Sequence, residues 1–250
     1  MSTNKKYALI TGSNRGIGLS ILEKLASNGF NIFAHSRLHD LDFEKKTKSI
    51  ARSKSVEIIH INFDLQDTEA MRSEIKKIIK EKLPIDVLVN SAGIIHGGLF
   101  QMTPIKDIRQ VFEINLFGML ELTQLVCRYM MRNNSGSIIN ISSVAGIDLS
   151  AGNSAYGLSK AAIIAFTKTL SAEMSSHGIR VNAIAPSLTE TDMGLSKQAT
   201  KEREMLSNGD DYFYRIAQPE EIANVVNFLA SVESSFINGQ VIRVDGGNRF

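Results

Sequence analysis

Three side chains near the middle of the chain could together move a proton onto or off a carbonyl oxygen: Ser143, Tyr156 thirteen residues later, and Lys160 four residues after that. Tyr156 and Lys160 stand in the run Ser-Ala-Tyr-Gly-Leu-Ser-Lys, which opens a stretch of helical pattern. Residues four apart on a helix share a face, so the Lys160 ammonium can lie beside the Tyr156 phenol. A phenol with an ordinary pKa of about 10 is a poor acid at neutral pH, and a neighbouring cation favours phenolate and lowers that value. Tyr156 then becomes a usable proton donor. Tyr-x-x-x-Lys alone also describes an ordinary exposed helical turn, so its meaning depends on the elements around it.

Short apolar runs alternate with longer stretches of helical period. The runs predict strands over 7–10, 31–35, 56–63, 85–89, 137–141, 180–185 and 240–244. Helices are predicted over 17–28, 67–82, 104–131, 156–176 and 219–230. In the first of these Ile17, Ile21, Leu22 and Leu25 line one side and Gly29 follows as a C-terminal cap. Strand and helix in alternation imply an α/β, doubly wound parallel sheet of about seven strands, because parallel strands need crossovers.

Composition narrows the classes. The 250 residues, 43% of them hydrophobic, suit a single domain with one large core. Twenty-eight Lys and Arg against 26 Asp and Glu leave +2, too near balance for a surface that tracks nucleic-acid phosphates. Cys127 is the single cysteine, so no intrachain disulfide can form, and a buried packing role in a reducing compartment is expected. The polar stretch before Tyr7 is too short for a signal peptide, and no apolar run nears the roughly 20 residues that span a bilayer. A cytoplasmic protein without a membrane partner is expected. His35, His39, His60, His96 and His177 show no paired ligand spacing, so no metal is expected.

In doubly wound sheets ligands sit beyond the carboxyl ends of the strands, where strand order reverses. The first strand is followed there by Thr11-Gly12-Ser13-Asn14-Arg15-Gly16-Ile17-Gly18. Glycines at 12, 16 and 18 permit a tight turn and close approach of backbone to a pyrophosphate at the N-terminus of the next helix. Such a turn between a strand and an amphipathic helix is the Rossmann-type dinucleotide arrangement, although a Gly-rich turn by itself is only a turn.

The spacing Thr-Gly-x-x-x-Gly-Ile-Gly resembles that of the short-chain dehydrogenase/reductase family. Four further motifs stand in that family's order: Asn90-Ser91-Ala92-Gly93, Asn115, Ser143, and Tyr156 with Lys160. Ser91 departs from the commoner second Asn. The resemblance covers essentially the whole chain, 1–250, and implies one dinucleotide-binding domain. It makes Tyr156 the general acid of reduction and base of oxidation, Ser143 the hydrogen-bond partner of the substrate oxygen, and Lys160 the holder of the nicotinamide ribose. Asn115 would keep a water in the relay behind Lys160. Ser142 lacks the family's thirteen-residue distance to Tyr156. The plainer alternatives are a strand cap for Ser142 and Ser143 and a satisfied helix interior for Asn115.

The resemblance also implies a cofactor site formed by Gly12, Ser13, Asn14, Arg15, Gly16, Ile17 and Gly18, with Asn90, Ala92 and Gly93 beside Tyr156 and Lys160. Ser36 stands where NAD-preferring members carry an acid, and Arg37 follows it. With no carboxylate there, Arg37 and Arg15 could converge on a 2'-phosphate, which favours NADPH/NADP. Asp64 and Leu65 resemble the pair that contacts adenine. Pro186, Thr189 and Thr191 resemble the stretch that holds the nicotinamide carboxamide, with Ser187 in place of the usual Gly. A substrate lid is expected around 188–215, polar and irregular from Gly194 to Tyr214.

Within the family the run of motifs, ending in Gln218-Pro219-Glu220-Glu221 and Val244-Asp245-Gly246-Gly247, looks most like 3-oxoacyl-[acyl-carrier-protein] reductases. A 3-oxoacyl thioester, with acyl carrier protein as possible partner, is the leading substrate class. The alternatives are a sugar, polyol or small ketone in a specialised pathway, and a dinucleotide-binding regulator without turnover. Where carrier-protein reductases commonly place arginines this chain has Asn134 and His177, with Arg132 and Arg180 nearby. The acidic and aromatic run from Asp210 to Tyr214 would repel an acidic partner if exposed. Apolar helices at 104–131 and 156–176 resemble those that family members pair between subunits, implying a homotetramer.

Overall fold

The computed structural model describes residues 5–194 and 215–247. Its elements run β1 (Tyr7–Ile10), α1 (Gly16–Ser27), β2 (Asn31–Ser36), α2 (Leu41–Lys54), β3 (Ile58–Asn62), α3 (Thr68–Lys80) and β4 (Val87–Asn90). They continue with α4 (Ile105–Phe112), α5 (Gly118–Asn133), β5 (Gly136–Ile141), α6 (Ser154–Met174), β6 (Ile179–Pro186), α7 (Pro219–Ala230) and β7 (Val241–Val244). Every pairing is parallel, and the strand order is β3-β2-β1-β4-β5-β6-β7. The order reverses between β1 and β4, which is where a doubly wound sheet opens a ligand crevice.

The strands read as continuous apolar runs because both faces of the sheet are covered. Ile10, Ile32, Val89, Ile139 and Ile184 pack with Leu22 and Leu25 of α1 and Val226 and Leu229 of α7. Leu9, Phe33, Leu88, Ile138 and Val181 point the other way, onto Met71, Ile75, Leu122, Val126 and Leu170. Cys127 is buried in this second layer, where desolvation pushes its thiol up to about 11. It is a packing residue.

Two sequence expectations are corrected. The helix α2 was not predicted, since its run Leu-Asp-Phe-Glu-Lys-Lys-Thr is mostly charged and Leu41 stays exposed. Only Phe43 and Thr47 are buried, a stripe too narrow for a clear period. Its signal was Asp40, whose carboxylate accepts from Asp42 N and Phe43 N as an N-cap. The expected single helix over 104–131 is also interrupted: a π-turn at Glu113–Phe117 separates α4 from α5. Such one-turn bulges occur often at functional sites.

Candidate active site

Thr11 follows the end of the first strand, and its hydroxyl oxygen accepts from Ser91 N at 2.9 Å and Ala92 N at 3.0 Å. That one side chain ties the Gly-rich turn to the Asn90-Ser91-Ala92-Gly93 turn across the switch point. Gly12 has φ +64°, and a Cβ on it would lie 3.0 Å from Ala92 Cα. A Cβ on Gly18 would lie 2.2 Å from the Gly12 carbonyl oxygen. Only glycine fits either place, and both fix the backbone of the turn. Arg15, the N-cap of α1, makes no side-chain capping bond, and the first turn of α1 carries no acid. Gly16, Ile17 and Gly18 therefore form a helix N-terminus suited to an anion, so a dinucleotide pyrophosphate fits this turn.

Lys160 is buried on α6, and its Nζ donates to Ile141 O at 2.8 Å. Desolvation pushes its pKa down to about 8. Ser142 Oγ donates to Lys160 O at 2.8 Å. Ser142 thus faces α6, while Ser143, in extended backbone, turns the other way and accepts from Ala145 N at 3.2 Å. The loop after Ser143 packs against α6 through glycines: a Cβ on Gly146 would meet the Lys160 carbonyl carbon at 2.6 Å, and one on Gly157 would meet Ala145 O at 2.8 Å. Gly93 closes the group from the β4 side, with Asn115 Oδ1 3.1 Å and Lys160 Nζ 3.7 Å from the place of its absent Cβ.

Asn115 sits in the π-turn and is 1% exposed. Its Oδ1 accepts from Ile94 N at 2.8 Å, and its Nδ2 donates to Ile94 O at 2.9 Å and Ser159 Oγ at 3.1 Å. Both amide hydrogens are engaged, so the side chain clasps the loop after β4, while Oδ1 accepts one bond and keeps its second lone pair on the side of Gly93 and Lys160. Asn90 Nδ2 donates to Thr123 Oγ1 and Asn140 Oδ1, linking β4 to α5 and β5.

At the end of β2, where the sequence places the adenosine contacts, Ser36 Oγ donates to Leu38 O at 2.9 Å and accepts from Asn62 Nδ2 at 2.8 Å. Its hydroxyl shapes the turn that carries exposed Arg37. The Arg15 guanidinium lies 3.7 Å from the Asp192 carboxylate, both well exposed, a pair weak enough in water to exchange for a phosphate. Asp64 Oδ1 accepts from Gln66 N, and Leu65 is buried, with its carbonyl oxygen 2.4 Å from where a Cβ on Gly118 would lie. Asn14 is half-buried in the Gly-rich turn.

Beyond Pro186, Thr189 Oγ1 donates to Ser187 O, and Thr191 lies over the Gly-rich turn, its Cγ2 3.2 Å from the place of a Gly16 Cβ. Glu190 N donates to Ala217 O and Ala217 N to Leu188 O, so the described ends of the expected lid meet. Most of that lid, 195–214, including the run from Asp210 to Tyr214, lies outside the described residues. Among the described residues no group of three or more His, Cys, Asp or Glu is placed to hold a metal, and no helix is long and apolar enough to cross a membrane.

Sequence reasoning missed two connections. His35 lies under the Gly-rich turn, and Arg243 on β7 pairs with Asp148 of the Ser143 loop at 2.6 Å. Neither partner is near in sequence, so no spacing marked them. Arg180, noted beside His177 in the sequence, turns inward: it donates to Leu229 O at 2.8 Å and Ser231 O at 3.3 Å, capping the end of α7.

A sequence model of the short chain dehydrogenase family matches residues 6–202. The chain is 38% identical over 245 residues to the 3-oxoacyl-[acyl-carrier-protein] reductase FabG of Aquifex aeolicus (strain VF5), covering 97% of this chain and 96% of that protein. The crystal structure of acetoin dehydrogenase YohF from Salmonella typhimurium matches at TM-score 0.85 and 32% identity, over 97% of this chain and 96% of that one. That of YwfH, an NADPH dependent reductase involved in bacilysin biosynthesis, matches at TM-score 0.89 and 28% identity over 98% of both chains.

Proposed function

The chain belongs to the short-chain dehydrogenase family, and on that premise we propose that it is an NADPH-dependent carbonyl reductase with a 3-oxoacyl thioester as its leading substrate class. The observation that carries the reaction type is the buried Lys160 ammonium on the Tyr156 face of α6, at the carboxyl end of β5. A binding protein without turnover has no need of a phenol beside a buried cation. The substrate class rests on the full-length similarity to a 3-oxoacyl-[acyl-carrier-protein] reductase.

The Gly-rich turn, Arg37, Asp64, Asn90, Thr189, Thr191 and Lys160 would hold the dinucleotide. When bound, it supplies a hydride to the carbonyl carbon. Tyr156 gives its phenolic proton to the carbonyl oxygen, which becomes the product hydroxyl. Ser143 steadies that oxygen as charge builds on it. Lys160, as a cation, stabilises the phenolate left on Tyr156 until a proton returns from solvent. The segment around 188–215 would close over the substrate and exclude water.

A second reading, a reductase of a small ketone, sugar or polyol, is favoured by one observation. Asn134 and Gly178 lie side by side, a Gly178 Cβ meeting Asn134 O at 2.7 Å, which gathers Asn134 and His177 into one patch without a permanent cation. Arg180 faces inward, while Arg132 stays exposed. We further propose a homotetramer, since Phe117 and Leu158 remain about half exposed on the helical layer. The experiment is NADPH oxidation with acetoacetyl thioesters of coenzyme A and of acyl carrier protein beside a panel of ketones and sugars. Turnover of the carrier thioester supports the first reading. Silence on both thioesters with turnover of a panel compound overturns it in favour of the second.

A further inference from the structure

His35 is the next-to-last residue of β2 and is 2% exposed. Its Nδ1 lies 3.2 Å from Gly12 N and its Nε2 3.0 Å from Phe63 O. An amide N–H can only donate and a carbonyl oxygen can only accept, so Nδ1 must carry the lone pair and Nε2 the hydrogen. The two partners therefore select one tautomer of the neutral ring. The same residue's carbonyl oxygen accepts from Ser13 N at 2.9 Å and Ser13 Oγ at 3.0 Å.

We propose that His35 is a positioning residue for the dinucleotide, holding the turn at Gly12 and Ser13 in register with the turn at Phe63 and Asp64 so that both meet one cofactor. Gly12 is pressed on its other side by Ala92, leaving no room for a Cβ, so the turn is clamped between the β4 loop and the imidazole. The Phe63 ring stacks obliquely on the imidazole at 4.2 Å, which keeps the ring from rotating. A protonated ring would set Nδ1–H against Gly12 N–H, two donors face to face. Burial opposes that form and holds the pKa down at about 4, against the pull of the Asp64 carboxylate.

This inference rests on the dinucleotide reading of the cleft, and its test separates the two. NADPH binding is followed by fluorescence titration for the wild type, His35→Leu and His35→Gln, with imidazole 15N spectra of the wild type. His35→Leu is expected to raise the NADPH Kd and KM about tenfold with kcat little changed. His35→Gln, whose amide can both accept and donate, recovers most of the affinity, and the spectra show the Nε2–H tautomer. A leucine variant that binds like wild type, or an Nδ1–H tautomer, overturns the proposal. If the leucine variant does not fold, a glutamine variant with lost affinity or the wrong tautomer still overturns it. A wild type that binds no nicotinamide dinucleotide overturns the dinucleotide reading itself, and this inference with it.

Discussion

The Lys160 Nζ stands 5.6 Å from the centre of the Tyr156 ring, within the reach of a cation over an aromatic face. Helical spacing brings the two residues to one side of α6, and Ile141 O fixes where the ammonium points. If Tyr156 is the proton donor, Tyr156→Phe keeps the ring and its packing but removes the proton. The expected outcome is a fall in kcat of about 10²–10⁴-fold with the NADPH Kd unchanged. Steady-state rates and a binding titration on the same preparation check both halves.

Lys160 also implies a conflict between stability and function. Burial lowers its pKa from 10.5 to about 8, so the unfolded chain binds the proton more tightly. The penalty is fully present below pH 8 and disappears as the pH rises through 10.5, so stability should climb across that window. Lys160→Met, similar in length and without charge, is expected to be more stable than wild type at pH 7 by about 2 kcal/mol, and inactive. Urea unfolding of both proteins measures the difference. The reductive kcat/KM of the wild type should fall as the pH rises through about 8, where the ammonium is lost.

His35 sets the acid limit in the same manner. Its folded pKa of about 4 lies below the ordinary 6.5, so the unfolded state takes up the extra proton. Stability should fall as the pH drops from 6.5 towards 4, by up to about 3 kcal/mol from this residue. Thermal melts over that range should show a shallower slope for His35→Gln than for wild type. Equal slopes would mean that other groups carry the acid sensitivity.

Two glycines separate crowding from strain. Gly18→Ala drives a methyl into the Gly12 carbonyl at 2.2 Å, where backbone must move, and dinucleotide affinity should collapse. Gly29 has φ +83° with nothing within 4 Å, so Gly29→Ala should cost about 1 kcal/mol and leave affinity intact. Binding titrations and melts of the two variants test the contrast.

Cofactor choice should turn on the end of β2. Ser36→Asp places a carboxylate beside the turn that carries Arg37, and is expected to weaken NADPH about tenfold while improving NADH. Arg37→Ala should raise the KM for NADPH and hardly move that for NADH. Paired kinetics with the two cofactors decide the matter.

The alternation of apolar runs with helical periods, read residue by residue, determined the doubly wound sheet, because strands buried on both faces must be apolar throughout. Residue spacing marked the turn at Gly12, Gly16 and Gly18 and the pairing of Tyr156 with Lys160 on one helix, since spacing within one turn or one helix is a local property, whereas Ser143 was marked by the family resemblance alone. The charged helix α2 escaped because so little of it is buried. Three features were decided by tertiary contact alone. Asn115 turned inward through a π-turn to clasp Ile94, Arg180 was captured by the carbonyls at the end of α7, and His35 became a neutral clamp between Gly12 and Phe63. Each depends on partners at least 21 residues away in the chain, so no local pattern encodes it. Burial, which follows only from the assembled layers, then holds His35 neutral and lowers the pKa of Lys160.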